Sequence, residues 1–370
     1  MDEVDRKYMA RALALAEMGR GTTSPNPMVG AVIVKGSRII AEGYHEKSGS
    51  PHAEIAALRK IKSTTQTKGA TLYVNLEPCT HHGRTPPCAP EIAKAGFRRV
   101  VIGMADPNPL VNGKGIRYLR SRDVRVTTGV LLNECRRLNE VYIKYITQKI
   151  PFVILKGACS LDGRIAGSTG ASKWITCEAS RTDAHRLRWE TDAILVGIET
   201  ALIDNPNLTC RLPGKTKHPY RIILDSKLRI PPDSHVVRRS KVDGKTIIAT
   251  TTNASSRRAA KLEAAGCRLL RLRRDNHRRP SIKHLLMELG KMEISSVLVE
   301  GGGTVHASFL TAGAVDKFVI YYAPMLIGGE KTPGLIGGKG VALPENAPHL
   351  KITNIIRLGD DLRIEAYPIQ

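Results

Sequence analysis

The 370-residue chain is 42% hydrophobic, enough for a substantial core, and its length points to two domains at roughly 100–200 residues each. Its 57 Lys and Arg against 34 Asp and Glu leave +23, which raises nucleic acid as a partner, but the excess is spread over both halves, and four Phe and two Trp are few for stacking bases. No signal peptide, no disulfide framework among seven irregularly spaced cysteines and no apolar run of about 18 residues is evident, so a cytoplasmic protein with no membrane partner is expected.

In chain order, "DRKYMARALALAEMG" has helical spacing and a Gly stop, "MVGAVIVKGSRIIAEGYH" reads as a hairpin turning at Lys35-Gly36, "PHAEIAALRKI" as a helix and "GATLYVNLEP" as a strand. The helix "CAPEIAKAG", the strand "FRRVVIGMAD", a helix over "GKGIRYLRSRD" and the strand "VRVTTGV" complete a three-layer α/β unit. One helix is predicted over "LLNECRRLNEVYIKYITQK", ending before Pro151, so the boundary falls near 147–151, between domains 1–147 and 151–370. Beyond it "PFVILKGACS", "AILVGI", "YRIILDS", "KTIIATTT", "CRLLRLR", "SSVLVEGGG", "KFVIYYAPMLIGG" and "LRIEAYPI" read as strands, with helices such as "SRTDAHRLRWET" and "TVHASFLTAG" between them. The densest basic cluster, "RLLRLRRDNHRRP" at 268–280, reads as a solvated face or, alternatively, a phosphate-attracting surface.

Three residues stand directly behind prolines at helix starts or turns: His52 in "PHAE", Cys79 in "EPC" and Cys88 in "PPC". One imidazole and two thiolates are the number of protein ligands a catalytic zinc uses while keeping a fourth position for water, and helix N-termini favour the thiolate form. Glu54, two residues after His52, is then placed as a proton shuttle rather than a ligand: it takes a proton from water, assists attack on an amino-bearing ring carbon and passes protons to departing ammonia. An H-x-E signature followed by P-C-x-x-C is general to zinc deaminases. Here eight residues, "THHGRTPP", separate the cysteines, and His81, His82 and Arg84 within them can reach a substrate. The competing reading is a structural zinc with His81 or His82 as fourth ligand. Asn26, Asp106 and Asn108 also read as turn residues.

Together "SPNPMVGAVIV", "GYH", "PHAE", "EPCTHHGRTPPC" and "DPNP" resemble the deaminase half of the RibD family of bifunctional riboflavin biosynthesis enzymes, and the match runs through the whole chain. The resemblance implies a cytidine-deaminase-like α/β/α domain in which His52, Cys79 and Cys88 bind Zn²⁺, Glu54 is the proton donor and acceptor, and Asn26, His45, Asp106 and Asn108 contact substrate. Arg84 stands where many members have Lys; a cation is kept with altered reach.

"SSVLVEGGGTVHASF" places a strand, three glycines and a helix in succession, so backbone N–H groups can receive a phosphate, or the glycines simply form a turn. With "LKGACSLDGRIA", "SKWIT", "LVGIETALIDNPNLTCRLP" and "LDS" it resembles the family's reductase half, which implies a dihydrofolate-reductase-like α/β domain using NADPH. By motif, Ala158, Trp174, Thr200, Asp204, Ser226 and the run Gly302, Gly303, Thr304, Val305, His306, Ala307 and Ser308 are implied in cofactor contact. Lys156, Ser172, Arg188, Leu208, Arg211 and Glu300 are implied in contact with the sugar phosphate. Arg257 and Arg258, after "KTIIATTT", are candidates for selecting the 2′-phosphate of NADPH. The resemblance therefore implies small-molecule pyrimidine ribosyl phosphate substrates, no nucleic acid, and a homo-oligomer. A nucleic-acid base deaminase with a fused RNA-binding domain is the alternative, and a metal-stabilised scaffold without activity is the third.

Overall fold

A computed structural model describes residues 2–82 and 86–369. The chain divides into two compact units, Met1–Lys149 and Ile150–Gln370.

The first unit is built on β1 (Gly30–Lys35), β2 (Arg38–Tyr44), β3 (Thr71–Leu76), β4 (Arg99–Met104) and β5 (Arg125–Thr128), in the order β2-β1-β3-β4-β5. The expected β1–β2 hairpin is present, with its turn at Gly36-Ser37, one residue later than expected, because Lys35 pairs with Arg38; β1 also runs antiparallel to β3, and the remaining pairs are parallel. Side chains alternate across a strand, so Ile33, Leu72 and Val100 face the helices Ala53–Leu58, Cys88–Lys94 and Lys114–Arg120, while Val32, Tyr73 and Val101 face the helix Glu3–Glu17 and the helices near the unit's end. That is the three-layer arrangement. Gly43 is required by it: a Cβ there would stand 2.5 Å from both Ala53 O and Ala57 N, so only glycine lets the helix that begins after His52 lie flat on β2.

The single helix expected over 131–149 is instead two, Leu132–Leu138 and Glu140–Gln148. The break is Asn139, at φ −104° and ψ 20°. Its amide accepts from Met28 N at 2.8 Å and donates to Met28 O at 3.0 Å, and those two bonds to a distant loop outweigh one residue of helix.

The second unit carries β6 (Phe152–Ser160), β7 (Ala193–Gly197), β8 (Tyr220–Leu224), β9 (Thr246–Thr251), β10 (Arg268–Leu272), β11 (Ser296–Val299), β12 (Lys317–Ala323), β13 (Leu350–Leu358) and β14 (Asp361–Pro368). The order is β10-β9-β8-β7-β11-β6-β12-β14-β13, parallel from β10 to β12 and antiparallel beyond. Val153, Leu155, Phe318 and Ile320 share one core with the helix Ile282–Lys291; by the period of two, Lys156, Ala158 and Tyr321 point to the other face. There the helix Glu178–Glu190 covers them, and Tyr321 Oη donates to Asp183 Oδ2 at 2.7 Å. The strand β13 has no counterpart among the sequence expectations. It lies at the sheet edge with Leu350, Ile352 and Ile355 exposed, so no buried face imposes an alternating pattern on it. Among the described residues no helix is long and apolar enough to cross a membrane.

Candidate active sites

In the first unit, His52 is the N-cap of the helix Ala53–Leu58, Cys88 opens the helix Cys88–Lys94 behind Pro87, and Cys79 follows β3. The two cysteine segments are joined by Ala89 N donating to Cys79 O at 3.0 Å. His52 Nδ1 lies 3.0 Å from Cys88 Sγ and 3.6 Å from Cys79 Sγ, and all three donor atoms fall within 4.8 Å of one another. Bond lengths of about 2.1 Å to N and 2.3 Å to S at tetrahedral angles separate such donors by about 3.6 Å, so the set fits a zinc ion. Among the described residues the cluster contains these three side chains and neither His81 nor His82, which disfavours the closed structural site.

The two thiols shift each other in opposite directions. Cys79 is drawn down to about 4, chiefly by its hydrogen bond with Cys88 and then by His52, while Cys88 is pushed up by the same bond and by burial. A divalent cation held by both sulfurs would let both be thiolates. Glu54 is buried against them, and burial raises its carboxyl.

His45 is buried with its ring edge-on to His52, centroids 5.7 Å apart. Its Nδ1 lies 3.1 Å from Pro51 O, so that nitrogen carries the proton and Nε2 accepts from Asn26 Nδ2 at 3.2 Å. Asp106 accepts from Tyr142 Oη and Asn108 N, both at 2.9 Å, and burial lifts it to about 6. Gly83, Arg84 and Thr85 lie outside the described residues. Among the described residues His81 Nδ1 is buried without a hydrogen-bond partner.

Three residues that hold these loops had escaped the sequence reading. Glu77 accepts from the backbone N–H groups of Asp106 at 3.1 Å, Gly113 at 2.9 Å and Ile116 at 3.1 Å. Asn75 accepts from Gly30 N at 2.9 Å and donates to Met28 O at 3.0 Å, and Asn139 makes the two Met28 bonds described above. For Asn75 and Glu77 a signal is present: a polar residue in a run that reads as a buried apolar strand needs a partner.

In the second unit a cleft of about 710 Å³ opens between the helix Glu178–Glu190 and the carboxyl ends of β6, β11 and β7. It gathers Lys156, Ser172, Arg188, Arg211 and Glu300 of the expected substrate set, and Ala158, Trp174, Thr200, Asp204, Gly302, Gly303 and His306 of the expected cofactor set. Glu300 receives Arg188 Nε and Nη2 on its two oxygens, each at 2.8 Å. Burial pushes Glu300 up, but the guanidinium outweighs it and the carboxyl sits at about 2. Lys156 is lowered by burial, with Glu300 opposing, and its Nζ lies 5.5 Å from the Tyr321 ring centre. Arg181 stacks on the exposed Trp174 ring at 4.6 Å. Gly303 admits a close approach: a Cβ would stand 2.6 Å from Gly334 O, and Gly337 N donates to Gly303 O at 2.9 Å.

The rest of the expected set lies elsewhere. Leu208 and Val305 are buried in the apolar cores. Thr304 is exposed, Ala307 is half-buried near Gly338, and the Ser308 hydroxyl donates to Thr304 O at 2.9 Å. Ser226 follows β8, and Arg257 and Arg258 follow β9. The cleft also contains His185, absent from the sequence reading although it lies three positions before Arg188 on the same helix face. Its Nδ1 accepts from Arg211 N at 3.3 Å; burial, Arg188 and Arg211 lower it to about 4.

Comparison with known proteins places both halves. Residues 2–104 match the family model "Cytidine and deoxycytidylate deaminase zinc-binding region", and residues 151–364 match "RibD C-terminal domain". The riboflavin biosynthesis protein RibD of Bacillus amyloliquefaciens is 44% identical, covering 99% of this chain and 96% of its own; that of Aquifex aeolicus is also 44% identical, covering 98% of each. Among solved structures, RibD of Acinetobacter baumannii superimposes with a TM-score of 0.89 at 35% identity over 100% of this chain and 99% of that one. The Thermotoga maritima diaminohydroxyphosphoribosylaminopyrimidine deaminase/5-amino-6-(5-phosphoribosylamino)uracil reductase gives 0.87 at 37% identity over 99% of each. The chain therefore belongs to the RibD family, the bifunctional deaminase and reductase of riboflavin biosynthesis, with a zinc-binding deaminase domain followed by a reductase domain.

Proposed function

We propose that the protein hydrolyses the 2-amino group from 2,5-diamino-6-(5-phosphoribosylamino)pyrimidin-4(3H)-one and then reduces the ribosyl chain of the product with NADPH to give 5-amino-6-(5-phosphoribitylamino)uracil. The observation that carries the first step is the buried Glu54 beside a three-donor set that lacks a fourth protein ligand among the described residues. Zinc, when held by His52, Cys79 and Cys88, supplies the acidity that makes water a nucleophile at neutral pH. Glu54 takes that water's proton and returns it to the departing amine, so water and the amino-pyrimidine leave as carbonyl and ammonia. His45 and Asn26 hold one edge of the ring, and Asp106 and Asn108 fix the other.

In the second unit Arg188 and Glu300 order the cleft wall, Glu300 accepting from ribosyl hydroxyls and Arg211 meeting the phosphate. NADPH, when bound, supplies the hydride to the ribosyl carbon of the opened chain. Lys156, whose ammonium is made more acidic by burial, donates a proton to the adjacent nitrogen. The positive field of the whole chain, +23, concentrates both phosphorylated substrates. Seven free cysteines fit a reducing cytosol. Self-association through the exposed edge of β13 completes the reading; Ile352→Lys with Ile355→Lys is expected to lower the sedimenting mass, and an unchanged mass removes that interface.

The test of the function is one reaction: zinc-loaded protein with the diaminopyrimidine phosphate and NADPH, following ammonia and the loss of NADPH absorbance together. Ammonia is expected to appear first and NADPH to fall with it. A protein that releases none with full zinc content is not the deaminase proposed here.

A further inference from the structure

The carboxyl edge of the parallel strands extends beyond the cleft. The cleft stands over β6, β11 and β7, yet Ser226 lies outside it, one strand farther along the same edge, behind β8. Neighbouring strands are about 4.8 Å apart, so the loops after β8 and β9 stand roughly 5 and 10 Å beyond β7. The far half of a dinucleotide whose reactive ring occupies the cleft can lie there.

What reads the ribose 2′ position in a dinucleotide site is local charge: a carboxylate at a strand end accepts a free 2′-hydroxyl, whereas an arginine accommodates a 2′-phosphate. Asp225 follows β8 directly, but it is fully buried, with Oδ2 receiving Ile230 N at 2.8 Å and Oδ1 receiving Lys227 N at 3.3 Å. Its carboxylate shapes the loop and is not offered to a ligand. The groups the loop does present are Lys227, which is exposed, and Ser226, whose hydroxyl has no partner among the described residues.

The loop after β9 brings a cation to them. Thr251 Oγ1 donates to Ser226 O at 3.3 Å, and Arg258 Nη1, in the first turn of the helix Ser256–Ala264, donates to Lys227 O at 3.1 Å. One guanidinium N–H is thereby used to pin Arg258 across both loops, and the rest of its five-donor fork stays exposed. Arg258 also shares a cavity of about 350 Å³ with Lys261 and Arg229, the latter paired with Glu199. Arg257 makes no hydrogen bond to the β8 loop among the described residues.

We infer that Arg258, with Lys227 and the Ser226 hydroxyl, forms the subsite for the adenosine 2′-phosphate, and that Arg258 rather than Arg257 sets the preference for NADPH over NADH. The inference rests on the proposed use of NADPH. It is tested on the zinc-loaded full chain by calorimetric titration with adenosine 2′,5′-bisphosphate and with 5′-AMP. The wild type is expected to bind the bisphosphate more tightly. Arg258→Ala should weaken it roughly 10- to 100-fold, the worth of a charged hydrogen-bond set, while changing 5′-AMP affinity by no more than about twofold. Arg258→Lys should recover part of the loss, and KM for NADPH should rise in the alanine variant with kcat held. If Arg258→Ala keeps the wild-type ratio of the two affinities, or if Arg257→Ala is the variant that abolishes it, the subsite is misassigned and the NADPH reading survives. If the wild type binds both nucleotides equally and oxidises NADH as readily as NADPH, the reading beneath it fails as well.

Discussion

The two sites are assembled over different ranges of the chain. His52 and Cys88 meet across 36 positions within one short run of motifs, whereas Arg188 and Glu300 meet across 112. The first is fixed by local devices, prolines and helix starts that aim three donors at one point. The second exists only because β11 is inserted between β6 and β7 and a helix is laid across the strand ends. Chemistry held by local geometry can be disabled one side chain at a time; a cleft held by a buried ion pair couples its chemistry to the stability of its unit.

The sharpest way to separate the two is Glu54→Gln. The substitution leaves the three donors in place, so zinc content should stay at the wild-type level while ammonia release falls by about 10³-fold or more, the upper range for a proton shuttle. NADPH oxidation with the deaminated intermediate supplied directly should be unaffected. Loss of both activities would show that the sites are not separable.

Glu300→Gln should behave differently. Arg188 would be left buried without its carboxylate, a loss of about 3–5 kcal/mol, so the melting temperature should fall along with reductase activity. The double variant Arg188→Met, Glu300→Leu should recover stability and not activity. Acid provides a second reading. Glu300 is depressed from 4.5 to about 2, so its stabilisation is complete above the unfolded value of about 4.3 and is lost as pH falls through about 2. The Gln variant should lack that part of the acid transition, and an identical acid profile would mean the pair contributes nothing there.

Asn139 tests the local half of the comparison. Asn139→Ala removes both bonds to Met28; Met28 O keeps the Asn75 amide as a donor, whereas Met28 N loses its acceptor, at about 1–3 kcal/mol. Deaminase KM should rise several-fold through the loop that carries Asn26, with zinc unchanged. If KM and melting temperature both hold, the loop is fixed by Asn75 alone.

Asn139 also marks where sequence reasoning stops. Apolar spacing through 131–149 describes a helix, and the competing term, two hydrogen bonds to a loop more than a hundred positions away, leaves no trace in local periodicity. The clustering of His52, Cys79 and Cys88 is legible because each stands directly behind a proline, at a helix start for His52 and Cys88, so the pattern encodes position as well as chemistry. His185 was not, because nothing in "SRTDAHRLRWET" says which face of the helix the cleft will occupy. Strand β13 was missed for the opposite reason: exposed at the sheet edge, it has no buried face to impose a pattern. Leu208 and Val305 pack their side chains into the core, so the contact that the motif match assigns to each would have to come from its backbone.

The smallest expected effect is also the one whose direction is least intuitive. Asp106 is raised from 3.8 to about 6 by burial, despite the two hydrogen bonds it accepts from Tyr142 and Asn108. Between those two pH values the folded chain holds a proton that the unfolded chain has lost, so this group's contribution to stability grows as pH falls through 6 and is a cost at neutral pH. Asp106→Asn keeps an acceptor for both donors and removes the charge. It should therefore melt above the wild type at pH 8, and the difference should shrink by pH 5. Binding should move the other way. A carboxylate that accepts from the pyrimidine is present only above about pH 6, so wild-type deaminase KM should rise several-fold between pH 7.5 and 5.5, while the Asn variant stays flat at the higher value. A wild-type KM that does not change over that interval would place Asp106 among the residues that hold the loop, with Glu77, and remove it from contact with the ring.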